Sequence, residues 1–165
     1  MVRALNLGCG NDYRESTDEI EWVNLDNGNC RVDVKADIES PPWPYFFPIH
    51  ESNFDRIDAI QVLEHISKEN FPNVIREMYR ISKPGAVWNI AVPHGFSDNF
   101  ITDPTHKMPF STRTFDYFID DSPESRGLRE NGIIYGWGDV CLTHIKPPFL
   151  DGNQSINFTL GVIKD

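Results

Sequence analysis

The apolar run at the start of the chain breaks into two glycines, and this break constrains the fold more than any other feature of the sequence. Residues 4–7 lead into Gly8-Cys9-Gly10, and a second apolar run over residues 22–25 ends at Asp26. Glycine lacks Cβ and reaches positive φ, so a backbone turn built from it can approach a ligand closely. A strand, a glycine turn and an acid at the tip of the next strand suit a nucleoside, whose ribose hydroxyls can donate to the acid.

Strand-like and helix-like segments alternate along the rest of the chain. Strands are predicted at residues 32–36, 54–63, 86–92, 132–145 and 155–163, and helices at residues 71–82 and near 112–119. Lys83-Pro84-Gly85 is expected to end the first of these helices. This alternation predicts an α/β fold, with a Rossmann-like, mostly parallel sheet flanked by helices in one domain over residues 1–165.

Polar residues and glycines collect at the ends of the predicted strands. They are Gly8, Gly10, Asp26, Asp37, Gln61, Glu64, His65 and His94. Ligands of open parallel sheets bind outside the carboxyl ends of the strands, so the sequence predicts one ligand site at this edge.

Composition excludes several classes of partner. The chain has 165 residues and a formal net charge of −10, so non-specific binding to nucleic acid or to an anionic membrane surface is disfavoured. Apolar residues form 39% of the chain, but no run approaches the ~20 residues of a membrane-spanning helix. Three cysteines without metal-like spacing indicate reduced thiols, so we expect a cytoplasmic protein.

The order of these motifs resembles the class I S-adenosylmethionine-dependent methyltransferases. The matching segments are Leu5-Asn6-Leu7-Gly8-Cys9-Gly10, Asp26, Ala36-Asp37-Ile38, Val62-Leu63-Glu64-His65 and Lys83-Pro84-Gly85. Further along, Asp103-Pro104-Thr105-His106-Lys107 looks like a segment of small bacterial and phage-type methyltransferase-like proteins.

The resemblance implies S-adenosylmethionine as cofactor and gives several residues a role in holding it. Leu7, Gly8 and Gly10 would lie against its methionine part, and Asp26 would accept from its ribose hydroxyls. Asp37 and the backbone of Ile38 would meet the adenine, and Gln61 would lie near the sulfonium.

The chain departs from the family pattern around its first strands. The short stretch between Gly10 and Trp22 leaves room for a first helix of one or two turns at most, or for none. Too few residues separate Asp26 from Val32 for a helical crossover, so the third strand either forms a hairpin or, as we expect, runs parallel after a tight loop. The helix that often precedes the first strand and closes the cofactor pocket is missing, which implies an open pocket or one completed within a homo-oligomer.

The residues that follow the fifth strand are the candidates for the acceptor side. Residues 94–131 are expected to form a lid or substrate loop, and His94 or His106 is a candidate general base because neutral imidazole accepts a proton near pH 7. His94, Asp98, Asp103 and His106 could instead bind a metal, but their spacing matches no compact motif, so we expect none. His65 is expected to bond backbone at the next helix.

Two further groups of residues each allow two interpretations. Ser40-Pro41-Pro42-Trp43 looks like the catalytic tetrapeptide of amino-directed DNA methyltransferases, but it follows the wrong strand and the chain is acidic, so a proline-stiffened loop is expected. Trp43, Tyr45, Phe46 and Phe47 could stack on a substrate or belong to the core. Cys9 could be a nucleophile or a small buried hydrophobe.

The sequence as a whole predicts methyl transfer from S-adenosylmethionine to an oxygen or nitrogen of a small-molecule or glycan-type acceptor. One alternative is a binding module that keeps the nucleoside pocket without catalysis. Another is a nicotinamide-dependent oxidoreductase, which is disfavoured because Tyr13 stands where the third glycine of a dinucleotide fingerprint belongs.

Overall fold

Seven strands form one sheet in a computed structural model that describes residues 1–43, 52–119 and 126–164, without the side chain of residue 126. The strands are β1 (Val2–Leu7), β2 (Ile20–Asp26), β3 (Val34–Lys35), β4 (Phe54–Ile60), β5 (Ser82–Pro93), β6 (Leu142–Leu150) and β7 (Ser155–Val162). Their order across the sheet is β3-β2-β1-β4-β5-β7-β6. The pairings from β3 to β5 are parallel, and β7 runs antiparallel to both neighbours. The predicted α/β class with a mostly parallel sheet is confirmed.

The third strand is parallel, as predicted, although it is only two residues long. Leu25 pairs with Val34 and Asp26 with Lys35. The connection that precedes β3 is a loop, so the turn residues Asn27 and Gly28 do not form a hairpin. The carboxyl ends of β1, β2 and β3 therefore lie side by side.

A row of polar side chains crosses the sheet where a first helix would pack. Asn6, Asn24, Asp58 and Asn89 are in register on β1, β2, β4 and β5. Residues in register on neighbouring strands point to the same face. Asn6, Asn24 and Asp58 are almost fully buried. An apolar helix face would leave these groups without partners, which is costly in a buried setting.

The loop between β1 and β2 covers this polar row instead, and the described residues 8–19 contain no helix. The backbone amide of Arg14 donates to Asn24 Oδ1 over 2.9 Å, and Arg14 O accepts from Asn24 Nδ2 over 3.0 Å. The guanidinium of Arg14 pairs with Asp58. The sequence allowed a short first helix or none, and the structure has none over the described residues 8–19. The loop backbone and Arg14 supply the hydrogen-bond partners of the polar row instead.

The helix α1 (Phe71–Ile81) packs one face against the sheet, and the chain then enters β5 without a loop. Ser82 Oγ donates to the Met78 carbonyl over 2.7 Å and accepts from Trp88 Nε1 over 2.8 Å. The strand pairing is interrupted between Ser82 and Val87, where the Lys83-Pro84-Gly85 segment lies. The predicted end of the helix is confirmed within one residue.

The predicted strand at residues 155–163 is confirmed by β7, but residues 112–145 differ from prediction. Instead of one strand over residues 132–145, helix α3 (Arg126–Ile134) is followed by β6 from Leu142. Gly132 lies in α3, where an added Cβ would meet the Tyr117 carbonyl oxygen at 2.4 Å. Glycine at position 132 is therefore required by close packing against Tyr117, and it does not start a strand. The helix expected near residues 112–119 is a single 3-10 turn at Thr114–Tyr117.

The remaining helix, α2 (Asp98–Thr102), is one short turn capped by Ser97, whose hydroxyl accepts from the Phe100 amide. Across the described ranges, no helix is long and apolar enough to cross a bilayer. The hydrophobic core joins buried residues of the sheet and of α1 to Trp43, Phe110, Phe115 and Phe118 from outside these elements.

Candidate functional site

The glycine turn after β1 lies at the carboxyl edge of the sheet. Gly8 has φ +66° and Gly10 has φ +49°. The amides of Gly8 and Cys9 both donate to the Leu25 carbonyl, over 2.8 and 3.1 Å, which holds the turn against the end of β2. Leu7, the last residue of β1, is fully buried, so it presents no exposed surface to a ligand at this edge.

The two glycines of the turn are required for different reasons. An added Cβ on Gly8 would lie 2.1 Å from Val62 Cγ2, whereas one on Gly10 would meet nothing within 4 Å. Gly8 therefore makes room for Val62 of the same chain. Gly10 faces open space, and it is the position of the turn that a ligand can approach.

Asp26 joins two glycine turns. Its Oδ2 accepts from the Gly10 amide over 2.9 Å, and its Oδ1 accepts from the Gly28 amide over 2.6 Å. A carboxylate oxygen has two lone pairs, so each oxygen keeps one for a further donor. The acid predicted to meet a ribose lies beside the open glycine and retains the capacity to accept two more hydrogen bonds.

Asp37 and Ile38 follow β3 at the same edge. The carboxylate of Asp37 accepts from the Glu39 amide and from Ser40 Oγ, which shapes the local turn. The carbonyl of Ile38 accepts from Trp43 Nε1 over 3.2 Å, and Trp43 is fully buried. Trp43 is therefore a core residue, which supports the structural interpretation of the Ser40–Trp43 loop. Tyr45, Phe46 and Phe47 lie outside the described residues.

Gln61 follows β4 in a backbone conformation that glycine usually takes. Its φ is +54°, an uncommon value for a residue with a Cβ. Its amide donates to the Ala91 carbonyl over 2.7 Å, and its Nε2 lies 3.3 Å from Ser155 Oγ. Strained residues of this kind cluster at functional sites, which fits the place predicted for Gln61.

A cavity of about 600 Å³ opens beside Gln61. Its walls are Gln61, Glu64, His65, Asn99, Thr102, Asp103, Pro104 and His106. The cavity thus unites the end of β4 with residues from the long segment after β5. His94 is absent from its walls.

Glu64 is the buried acid of this cavity. It is 0% exposed. Burial, together with the charge of Asp103, raises the pKa of its carboxyl to about 7. His106 Nε2 lies 4.0 Å from Glu64 Oε1 and 3.8 Å from Asp103 Oδ2. The sequence placed Glu64 at the sheet edge but gave it no role, because its burial depends on contacts with residues far along the chain.

Hydrogen bonds hold the segment after β5 beside the cavity. The amides of Lys107 and Met108 donate to the Glu64 carbonyl over 2.7 and 2.9 Å. Lys107 Nζ donates to Glu39 Oε2 over 2.8 Å. This hydrogen bond, with one from the Ser67 amide, lowers the pKa of Glu39 to about 2. The segment therefore lies at the carboxyl edge, where a lid was expected.

The two candidate histidines differ in their free nitrogens. His106 Nδ1 lies 3.0 Å from the Phe100 carbonyl, which can only accept, so Nδ1 carries the proton and Nε2 keeps its lone pair. His94 Nδ1 accepts from the Phe96 amide over 3.2 Å. The lone pair of neutral His94 is therefore already used.

His65 does not make the contact predicted for it, and Cys9 has one of the two roles considered for it. His65 Nδ1 bonds Thr105 Oγ1 over 3.0 Å, rather than backbone as predicted. Burial, with smaller effects of Cys30 and Asp26, raises the pKa of Cys9 to about 12. A thiol that keeps its proton is a poor nucleophile, so Cys9 is a buried packing residue. All three cysteines are described, and none forms a disulfide.

Comparisons with known proteins show which fold the chain has. No protein-family model and no curated protein matches the chain, whereas solved structures do. An S-adenosylmethionine-dependent methyltransferase from Archaeoglobus fulgidus superposes with a TM-score of 0.60 at 18% identity, over 97% of this chain and 86% of its own. The chain has a methyltransferase-like fold.

Two other structures show the range of proteins built on the methyltransferase-like fold. Phosphoethanolamine N-methyltransferase 2 of Haemonchus contortus, in complex with S-adenosylmethionine, gives a TM-score of 0.56 at 15% identity, over 99% of this chain and 49% of its own. The cyclase SpnF gives 0.54 at 14% identity, over 99% and 75%. The fold thus carries different reactions, and the activity has to be argued from the site.

Proposed function

We propose that the chain binds S-adenosylmethionine at the glycine turn and transfers its methyl group to an oxygen or nitrogen of an acceptor in the cavity beside Gln61. The observation that supports this most directly is the pairing of the Gly10 amide with Asp26 Oδ2, with open space over Gly10. It joins a backbone turn and an acid at the one edge that also holds the cavity.

The residues at this edge fit the proposed cofactor. Asp26 keeps lone pairs for two ribose hydroxyls, and Gly10 leaves room for the part of the ligand that crosses the turn. Asp37 is exposed beyond β3, where it can accept from an adenine amino group. When bound, the cofactor supplies a methyl group on a positively charged sulfur, which an aligned acceptor can displace. The protein would then mainly orient the acceptor and exclude water.

His106 is the better placed of the two candidate bases. Its Nε2 lone pair faces the cavity wall formed by Glu64 and Asp103, while the lone pair of His94 is bonded to the Phe96 amide. We propose His106 as proton acceptor and a positioning role for His94. The net charge of −10 favours a small-molecule or glycan-type acceptor over nucleic acid, whose phosphates it would repel.

Calorimetry with S-adenosylmethionine is the first test. We expect saturable binding by the wild-type chain, and its absence would overturn the proposal. A panel of hydroxyl, amine and glycan acceptors is then screened for release of S-adenosylhomocysteine. Binding without turnover on every acceptor class would favour the non-catalytic binding module.

Histidine variants test the assignment of the base. His106→Ala should lower turnover by about 10²–10⁴-fold with little change in cofactor affinity, the usual contribution of a general base. His94→Ala should have a smaller effect. Full activity of His106→Ala would exclude it as the base, and equal losses in both variants would contradict the distinction drawn from their hydrogen bonds.

A further inference from the structure

The buried Glu64 carboxylate has no hydrogen-bond partner among the described residues. Both of its oxygens are buried and neither has a hydrogen-bond partner. Buried polar groups are almost always bonded, and a buried carboxylate is especially costly when it is not. A carboxylate in this state at the wall of a cavity is suited to bind a cationic group.

His106 presents a lone pair, and not a proton, to this acid. Its Nδ1–H is directed to the Phe100 carbonyl, so Nε2 is the acceptor nitrogen of the neutral ring. That nitrogen lies 4.0 Å from Glu64 Oε1 and 3.8 Å from Asp103 Oδ2. Neither His106 nor Asp103 therefore supplies a hydrogen to the ionised carboxylate of Glu64, and three electron-rich atoms face one another.

His65 is held in the same tautomer by a chain of hydrogen bonds. Thr105 Oγ1 donates its only hydrogen to Asp103 Oδ1 over 2.6 Å. The Nδ1 atom of His65 must then donate to Thr105 Oγ1, which leaves its Nε2 lone pair unused. Histidines that bind metals commonly donate their second ring nitrogen to a carbonyl, carboxylate or water in this way.

We propose that Glu64, His65 and His106 bind a divalent transition-metal ion, with Asp103 at the open edge of the site. Ligand atoms of the three residues lie within 4.8 Å of one another. Tetrahedral ligands of Zn²⁺ at about 2.0–2.2 Å lie about 3.4 Å apart, so the side chains need to close by about an ångström. Two imidazoles and a carboxylate suit Zn²⁺ and similar ions, and they leave a position open toward the cavity.

The proposed ligands differ from those of the metal site considered from sequence, which combined His94 and Asp98 with Asp103 and His106. The structure instead brings Glu64 and His65 from the end of β4 to His106. The role of the ion in binding an acceptor rests on the proposed function. A bound ion would hold an acceptor oxygen beside Gln61. In the loaded protein, His106 would then be a ligand rather than a base, and the ion would lower the pKa of a bound acceptor hydroxyl, whose proton would pass to solvent water.

Zinc binding to the full-length, chelator-treated chain tests the site. Isothermal titration with Zn²⁺ should show one tight equivalent in the wild type. Glu64→Gln and His106→Ala should weaken it by about 100-fold or more, since loss of an outer partner alone costs 10–100-fold. Thr105→Val, which removes the partner of His65, should give an intermediate loss.

Two control variants separate this site from other metal-binding groups. His94→Ala should leave Zn²⁺ affinity unchanged. Cys30→Ser should also leave it unchanged, because Cys9, Asp26 and Cys30 form another cluster of potential ligands. Loss of binding in Cys30→Ser, or retention in Glu64→Gln and His106→Ala, would overturn the proposal.

X-ray absorption of the zinc-loaded wild type keeps the test independent of variant folding. Imidazole and oxygen scattering without sulfur is expected, and a sulfur shell, or no zinc retained, would contradict the site. Cofactor calorimetry on the same chelated protein distinguishes the two proposals: S-adenosylmethionine can bind whether or not Zn²⁺ does.

Discussion

The backbone amide of Gly10 donates to Asp26 Oδ2 over 2.9 Å, which ties the open position of the glycine turn to the acid at the end of β2. The second carboxylate oxygen holds the Gly28 amide over 2.6 Å. Asp26 therefore shapes two turns as well as offering lone pairs to a ligand. Its removal affects the geometry of the site together with its charge.

Asp26→Ala is expected to weaken S-adenosylmethionine binding by more than tenfold. Hydrogen bonds to a charged group contribute roughly 1.5–3 kcal/mol each, and about 1.4 kcal/mol corresponds to tenfold in affinity. Calorimetry measures the change, with Asp18→Ala as a control because Asp18 is exposed away from the turn. A change below about threefold would show that Asp26 does not bind the ribose.

Gly8→Ala and Gly10→Ala should separate folding from binding. Both place alanine at positive φ, a strain of roughly 1–2 kcal/mol. Only Gly8→Ala also drives a Cβ to 2.1 Å from Val62 Cγ2, so its melting temperature should fall further. Adding Val62→Ala should recover part of that loss, as a double-mutant cycle can show. Gly10→Ala should stay folded and lose cofactor binding, and normal binding would reduce Gly10 to a turn residue.

Gln61→Gly and Gln154→Gly form a matched pair, since both glutamines have positive φ, 54° and 60°. Relief of left-handed strain offsets the entropy cost of glycine, so both variants should unfold within about 1 kcal/mol of the wild type in urea. Only Gln61→Gly should lose methyl transfer, because Gln61 lines the cavity. Equal activity in the two variants would remove Gln61 from the site.

Asp58 is expected to make stability depend on pH. Burial acts to raise its pKa, but hydrogen bonds from Arg56, Asn89 and Arg14 outweigh it and hold the pKa below its ordinary value. A carboxyl whose pKa is lower in the folded state stabilises the protein above its unfolded pKa of about 3.9, and this contribution disappears as pH falls through the folded value.

Asp58→Asn should accordingly lower the free energy of unfolding at pH 7 by about 2 kcal/mol, less than for a fully buried pair because both arginines are partly exposed. The difference from the wild type should shrink below about pH 4. Urea unfolding across pH measures it. Asp139→Asn, which breaks the more exposed pair with Arg76, should cost under about 1 kcal/mol. A difference that is constant with pH would contradict the role of Asp58.

The strands of the sheet could be predicted where a short stretch of sequence shows the pattern of a buried strand. The strands β1, β2 and β5 contain apolar runs, β4 ends in apolar residues before a turn, and α1 has one apolar face. The loss of the first helix has a cause that no local pattern displays. Asn6, Asn24 and Asp58 become one polar row only after the strands are in register.

The site could likewise be predicted only where its residues lie next to a recognisable strand in the sequence. Asp26 follows an apolar run directly, so its place at the edge could be inferred from neighbouring residues. The approach of His106 to Glu64 depends on a long connection folding back across the end of β4, and sequence spacing does not encode that. Gly132 shows the same limit, because its requirement comes from the Tyr117 carbonyl in another element.

The two backbone amides that donate to the Glu64 carbonyl allow opening of the cavity to be measured without following any reaction. Lys107 and Met108 can exchange their amide hydrogens with deuterated water only when the segment after β5 lifts from the end of β4. Their exchange rates therefore report how often one wall of the cavity separates from the other. Slower exchange on ligand addition would measure closure directly, residue by residue, without an assay of any reaction.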